Sequence, residues 1–243
     1  MALKSQTSII ASYVKELSGA VTTLDWTVTP LIVAALQKAA RIYVCGNGGS
    51  AANAGHLVLH LQEMRLRAQN MFADMAYVTA VSNDRSFETA QRNYLRFAAS
   101  PEDVLMVISG SGDSANIILA LTEARRLGMR TIGLLGMGGG GALSLCNLAC
   151  VVASDDYGVV EDAHSAIVHV LKKLLAATGG GSQLQRLKAD VADAGANTHR
   201  RKRPHAAGTR AAAAGGGGPE DTGVLGAEGR HEQAEAAASG GES

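Results

Sequence analysis

Net charge is missing from this chain: 22 Lys and Arg stand against 22 Asp and Glu. A protein that grips a phosphodiester backbone or an anionic membrane surface carries a basic excess, and none is present to attract such a partner. A long apolar run is missing too. No window reaches the ~18–20 continuous apolar residues of a membrane span. Residues 1–20 also lack the basic start, apolar centre and small-residue cleavage site of a secretory signal. Cysteine is scarce, with Cys45, Cys146 and Cys150 alone, each set in an apolar run. An odd number of buried thiols predicts free sulfhydryls in a reducing cytoplasm, not a disulfide framework. The lysine of a G-x-x-x-x-G-K-S/T loop is absent as well, which argues against a nucleotide triphosphatase. Glycine is what the chain has in excess, at 29 residues.

Length allows one or two domains. Residues 3 to about 38 read as helical, with Ile9, Ile10, Tyr13, Val14 and Leu17 repeating at three- and four-residue spacing to give one apolar face. Pro30 is tolerable there only near a first helical turn. Such a helix pair can cover a sheet or meet a second subunit, and the pattern does not choose. From Arg41 onward, apolar runs at 41–45, 76–81, 103–109, 130–135 and 148–153 read as strands. Helical stretches at 50–66, 86–99, 114–127 and 160–176 accompany them. Strands separated by helices imply parallel pairing through right-handed crossovers. The expectation is a three-layer α/β/α sandwich with a parallel sheet and an N-terminal helical extension. Ligands of such sheets sit beyond the strand carboxyl ends, where Gly46–Ser50, Asn83–Asp84 and Ser109–Ser114 would fall. The glycine run 136–141 reads as a plain connecting loop before a third anion loop. After Thr178 large apolar residues almost vanish among Gly, Ala and scattered charge, so 1–177 is expected to be the folded domain and 178–243 a disordered tail. The basic run His199–Arg203 within it can meet an acidic partner or simply remain solvated.

Three stretches carry chemistry. In Val44-Cys45-Gly46-Asn47-Gly48-Gly49-Ser50 a strand-like run stops at a glycine turn and a helix begins. Exposed N–H groups and the positive helix end there favour an anion, although a tight turn needs no ligand. Ile108-Ser109-Gly110-Ser111-Gly112-Asp113-Ser114-Ala115-Asn116 repeats the arrangement with three hydroxyls. Alone it would equally be a serine-rich helix cap; paired with the first loop, it points to phosphate. The third stretch is Val160-Glu161-Asp162-Ala163-His164-Ser165-Ala166-Ile167-Val168-His169. Four of the seven histidines, His56, His60, His164 and His169, lie on two helical segments ahead of the tail, and His56 and His60 share a face. Clustered imidazoles beside acidic residues point to a metal or proton-transfer site.

Taken in order over about residues 5–177, these motifs resemble the sugar isomerase (SIS) domain family, in its phosphoheptose isomerase branch. The resemblance implies isomerisation of D-sedoheptulose 7-phosphate to D-glycero-D-manno-heptose 7-phosphate. It implies a cytoplasmic homotetramer with zinc (Zn2+), one per subunit, and active sites between subunits. Asn47, Gly48, Gly49, Ser50, Asn83, Asp84, Ser109, Gly110, Ser111 and Ser114 fall on its substrate-binding positions. His56 falls on a metal ligand, and His169 on a histidine that is both ligand and acid/base. Two positions depart: the family's catalytic, metal-binding Glu is His60, and its metal-binding Gln is Glu161. The implied metal set is therefore His56, His60, Glu161 and His169, with His60 and His169 as the catalytic residues and Glu161 also reaching substrate. Were all four to close a tetrahedron, no open position or base would remain, and the zinc would be structural. Asp162 and His164 read as capping or supporting residues. The alternative function is a phosphosugar-binding or regulatory SIS protein without catalysis.

Overall fold

The computed structural model describes residues 3–180, with side chains for 5–178. Helices α1 (Leu3–Thr22) and α2 (Thr29–Lys38) precede the first strand. Then follow β1 (Ile42–Gly46), α3 (Gly49–Glu63), β2 (Ala68–Asn70), α4 (Met75–Asp84) and α5 (Ala90–Ala98). The remainder is β3 (Val104–Ser109), α6 (Ala115–Arg126), β4 (Arg130–Leu135), the short α7 (Gly140–Leu143), β5 (Leu148–Val151) and α8 (Tyr157–Leu175). The strands pair in parallel in the order β2-β1-β3-β4-β5. This is the expected parallel sheet between helical layers. The tail expected at 178–243 lies outside the described residues, apart from its first three.

Alternation along the strands builds the two layers. Ile42, Val44, Val104, Met106, Ile108, Ile132 and Leu134 face one core, shared with α2, α3 and α8. Tyr43, Cys45, Leu105, Val107 and Leu135 face the other, shared with α5, α6 and α7. The central strands are buried on both sides, so they read as unbroken apolar runs. The N-terminal pair covers the sheet: Ile32, Val33 and Leu36 of α2 are core, as are Ala20 and Leu24. Pro30 sits in the first turn of α2, where its missing N–H costs nothing. Ile9, Ile10 and Val14 of α1 stay 55%, 64% and 59% exposed. No single helix among the described residues is long and apolar enough to cross a membrane, although α1 and α2 together, bent by 51°, pass on length and composition.

The structure corrects two sequence expectations. The run at 76–81 is not a strand; it lies inside α4. Asp74 caps that helix by accepting from the Tyr77 N–H at 3.0 Å, and the Thr79 hydroxyl donates back to the Met75 carbonyl at 2.6 Å. The cap favours the helical turn over β composition, and the back-bond satisfies the threonine hydroxyl within it. The strand beside β1 is instead Ala68–Asn70, three residues with two polar ones, at the sheet edge. Asn83 and Asp84 consequently end α4 rather than follow a strand. The Asn83 amide donates to the Asp84 carboxylate at 3.0 Å on an exposed surface. The second correction concerns 136–141, which is built rather than slack. It forms a 3-10 turn (Met137–Gly139) leading into α7, and the Gly141 N–H donates to Asp113 at 2.7 Å.

Candidate functional site

The two anion loops leave neighbouring parallel strands, β1 and β3, at their carboxyl ends, so the paired register brings them side by side. Asn47, Gly48, Gly49, Ser50, Ser109, Gly110, Ser111, Ser114 and Glu161 line one cavity of about 270 Å3, together with Tyr157. Asn83 and Asp84 are not among its lining residues. A larger hollow of about 460 Å3 opens at the opposite end of the sheet, around Lys38, Asp103 and Arg130. It has neither a glycine turn nor a hydroxyl cluster, so chemistry and not size identifies the smaller one.

Local backbone explains why these residues form a cradle. Gly48 caps α3 with φ +55°, a left-handed conformation that side chains resist, which aims the first α3 N–H groups at the cavity. In the second loop, Ser109 accepts from the Gly112 N–H at 3.0 Å and Ser111 from the Asp113 N–H at 3.2 Å. Ser114 occupies the cap position of α6 but makes no side-chain cap bond, leaving its hydroxyl to the cavity. Gly112, at φ +73°, lies where a methyl would come 2.1 Å from the Gly139 carbonyl oxygen, so the glycine run beside α7 braces the serine loop. The two loops are also tied to each other. Asn47 and Asn116 exchange amide hydrogen bonds, each 2.9 Å long.

The histidines divide. His56, His60 and His169 gather, with ring centroids 4.4, 4.9 and 5.6 Å apart and ligand-capable nitrogens all within 4.8 Å of one another. They come from two packed helices, α3 and α8, as the sequence spacing implies. Burial lowers the His56 pKa, and His60, His169 and Lys172 nearby push the same way, so a neutral imidazole is favoured. The Nε2 atom of His60 is buried without a hydrogen-bond partner, and an ion would satisfy it. Three imidazoles whose nitrogens converge in this way are a zinc-type donor set.

Glu161 stands apart from that group within one chain, so among the described residues the three histidines alone form the ready-made cluster. Its carboxylate lies against Gly49, where an added methyl would come 2.1 Å from Oε2. Glu161 and His169 are eight residues apart on one unbroken helix, about 12 Å of rise. Within one chain, therefore, Glu161 belongs to the anion cavity and the metal-type group is three histidines. His164 is fully buried, and burial pushes it down to about 4, so it is a neutral core residue. Asp162 accepts from the Tyr13 hydroxyl at 2.7 Å and ties α1 to α8. The thiols are free, and burial pushes Cys45 and Cys150 up to about 12 and Cys146 up to about 11, which makes them inert.

Sequence reasoning missed Tyr157, which borders the cavity beside Gly110, and Asn116, the partner of Asn47. Tyr157 carries no motif of its own. Asn116 was visible as the polar residue at the head of the apolar run Ile117–Leu121 of α6.

Known proteins share this arrangement. The SIS domain model matches residues 26–136. The phosphoheptose isomerase of Pelobacter propionicus is 39% identical over 150 residues, 59% of this chain and 79% of that protein. Among solved structures, the phosphoheptose isomerase of Neisseria gonorrhoeae superposes with a TM-score of 0.67 at 26% identity, covering 72% of this chain and 99% of that one. The corresponding structure from Francisella tularensis gives 0.66 at 28% identity, covering 72% and 98%.

Proposed function

The chain belongs to the phosphoheptose isomerases, a family of SIS-domain proteins, and from that premise we propose how its residues convert D-sedoheptulose 7-phosphate to D-glycero-D-manno-heptose 7-phosphate. The observation that carries the reading is the layout of α3. Ser50, in its first turn, belongs to the anion cavity, while His56 and His60 follow six and ten residues later on the same helix. At 1.5 Å per residue those positions lie about 9 and 15 Å farther along. A seven-carbon sugar spans roughly 7–8 Å of carbon chain; with the phosphate ester added at one end, and with helical side chains leaning back toward the helix N-terminus, its C1–C2 end comes level with His56, the nearest of the histidine group.

The work then divides between the two regions. Backbone N–H groups of the first α3 turn and the hydroxyls of Ser50, Ser109, Ser111 and Ser114 hold the phosphate. A base takes the proton from C1 and the electrons pass into an enediolate with the charge on O2; the hydroxyl proton of O1 then passes to O2, and return of a proton to carbon C2 leaves an aldehyde at C1 and a hydroxyl at C2. We assign the two proton transfers to His60 and His169. His56, His60 and His169 would hold zinc, which when bound would steady the negative charge of the enediolate; a lone pair given to the metal is not also a base, so His60 takes a proton only with its Nε2 off the metal. The catalytic unit is residues 1–177. We place it in the cytoplasm as a homotetramer with sites completed between subunits; free thiols accord with the first, and the exposed Ile9, Ile10 and Val14 of α1 offer a surface for the second.

Incubating purified protein with sedoheptulose 7-phosphate, with and without added zinc, and following the aldose formed tests this reading. Conversion is the expected result. One observation favours a second reading, phosphosugar binding without catalysis: His60 stands where the family has its catalytic glutamate. Tight binding of sedoheptulose 7-phosphate with no conversion by the zinc-loaded protein would establish that alternative.

A further inference from the structure

His60 is held from behind. Its Nδ1 lies 3.2 Å from Glu63 Oε2 and 3.0 Å from Lys172 Nζ, and Lys172 Nζ lies 2.9 Å from the same Glu63 oxygen. Glu63 is one turn beyond His60 on α3, and Lys172 one turn beyond His169 on α8, so the trio forms where the two helices pack. Where the family has a carboxylate at position 60, this chain therefore has a histidine with a carboxylate three residues on.

Two partners compete for Nδ1, and they set opposite tautomers. A lysine ammonium can only donate, so a bond from Lys172 would place the ring proton on Nε2. A carboxylate can only accept, so Glu63 places the proton on Nδ1 and leaves Nε2 as a lone pair. Lys172 already has a charged acceptor in Glu63, and hydrogen bonds to charged groups are the stronger kind. The Glu63 oxygen that faces Nδ1 is the same one that Lys172 holds, so the carboxylate is fixed in place as an acceptor. Nε2 is buried and unpartnered. An N–H stranded there would be a plain loss, whereas a lone pair is what an ion or a substrate proton would take.

We propose that Glu63 is a positioning residue: its carboxylate accepts from His60 Nδ1–H and turns the Nε2 lone pair toward the space shared with His56 and His169, while Lys172 holds that carboxylate in place. This rests on the reading of His60 as a ligand or base, the one Nε2 lone pair serving one of them at a time. It supplies the positive argument for His60, since a histidine backed by a carboxylate is a competent substitute for the missing glutamate.

The test is made on the full chain with two variants of nearly equal size, Glu63→Met and Glu63→Gln. Heteronuclear NMR of labelled histidine at about pH 8, above the ordinary imidazole range, reads the His60 tautomer without metal. Competition with a chromophoric chelator reads zinc affinity. The expected result is an Nδ1–H tautomer in the wild type, with zinc affinity about 10–100-fold weaker in Glu63→Met. Glu63→Gln should recover part of that loss, because its amide oxygen still accepts. Packing alone would leave Met and Gln alike. A wild-type Nε2–H tautomer, or equal zinc affinity in wild type and Glu63→Met, overturns the proposal. Wild-type protein that takes up no zinc removes the metal reading instead, and the tautomer then decides the role of Glu63.

Discussion

The proposed phosphate cradle is made of two loops and the helix ends they lead into, and the histidine group of side chains well inside two helices, so the two should respond differently to change. In the cradle, the donors are largely backbone N–H groups and short hydroxyls fixed by turns, by the Asn47–Asn116 amide exchange and by the glycine run behind Gly112. Deleting any one side chain leaves the others in place. In the histidine group, three side chains from α3 and α8 supply all the ligand atoms, with no backbone groups behind them. Redundancy on one side and its absence on the other predict a steep contrast in mutational cost.

The largest effect belongs to the histidines. His60→Ala should lower turnover of sedoheptulose 7-phosphate by about 100–10,000-fold, the range for losing a general acid or base, while His60→Glu restores the family's residue and should retain or raise it. A steady-state assay decides, and a fully active His60→Ala enzyme would leave proton transfer to His169 alone.

Next in size is a control on the fourth histidine. His164 in the fold titrates near 4, below the ordinary 6.5 that the unfolded chain shows. As pH falls through that window, the unfolded chain takes up a proton the folded one refuses, so stability declines by roughly 3 kcal/mol in all and this contribution stops changing below about 4. His164→Leu should flatten that limb of the stability–pH profile in urea melts. An unchanged slope would assign the acid sensitivity to other groups.

In the cradle, single losses should be modest. Ser111→Ala or Ser114→Ala should weaken binding of the sugar phosphate by about 1–2 kcal/mol, as for one hydrogen bond to a charged group, with zinc content untouched. Calorimetry that finds single and double serine variants at wild-type affinity would remove the phosphate from this cavity.

Smallest is Glu161→Ala. Removing a carboxylate from beside the bound phosphate should strengthen binding by about 1 kcal/mol, the size of a screened charge–charge term, again without loss of zinc. Loss of zinc in this variant would return Glu161 to the metal set and break the division between the two regions.

That division was only half legible in the sequence. Both loops and all three histidines could be read, because glycine turns after apolar runs and four-residue spacing are local signals. The position of Glu161 could not. Which way a side chain leaves α8 depends on how the helix lies across β1 and α3, and that is tertiary. The edge strand failed for the opposite reason: Ala68-Gln69-Asn70 is short and polar, so it carries no apolar pattern, while Ala76 to Val81 has strand composition but sits under the Asp74 cap. Asn83 and Asp84 were misplaced with it. Glu63 and Lys172 showed only as charged residues one turn past a histidine, a spacing common on solvated helices.

The serine loop holds one more consequence. Ser109 and Ser111 each spend an oxygen lone pair on an N–H of their own loop. A hydroxyl used this way keeps its proton to give and one lone pair of its two. The loop's own turn thus halves what these two serines can accept and leaves untouched what they can donate. A guest rich in acceptors finds the full donor capacity of the loop. One that brings amine or amide hydrogens finds only the lone pairs that the turn has not already taken.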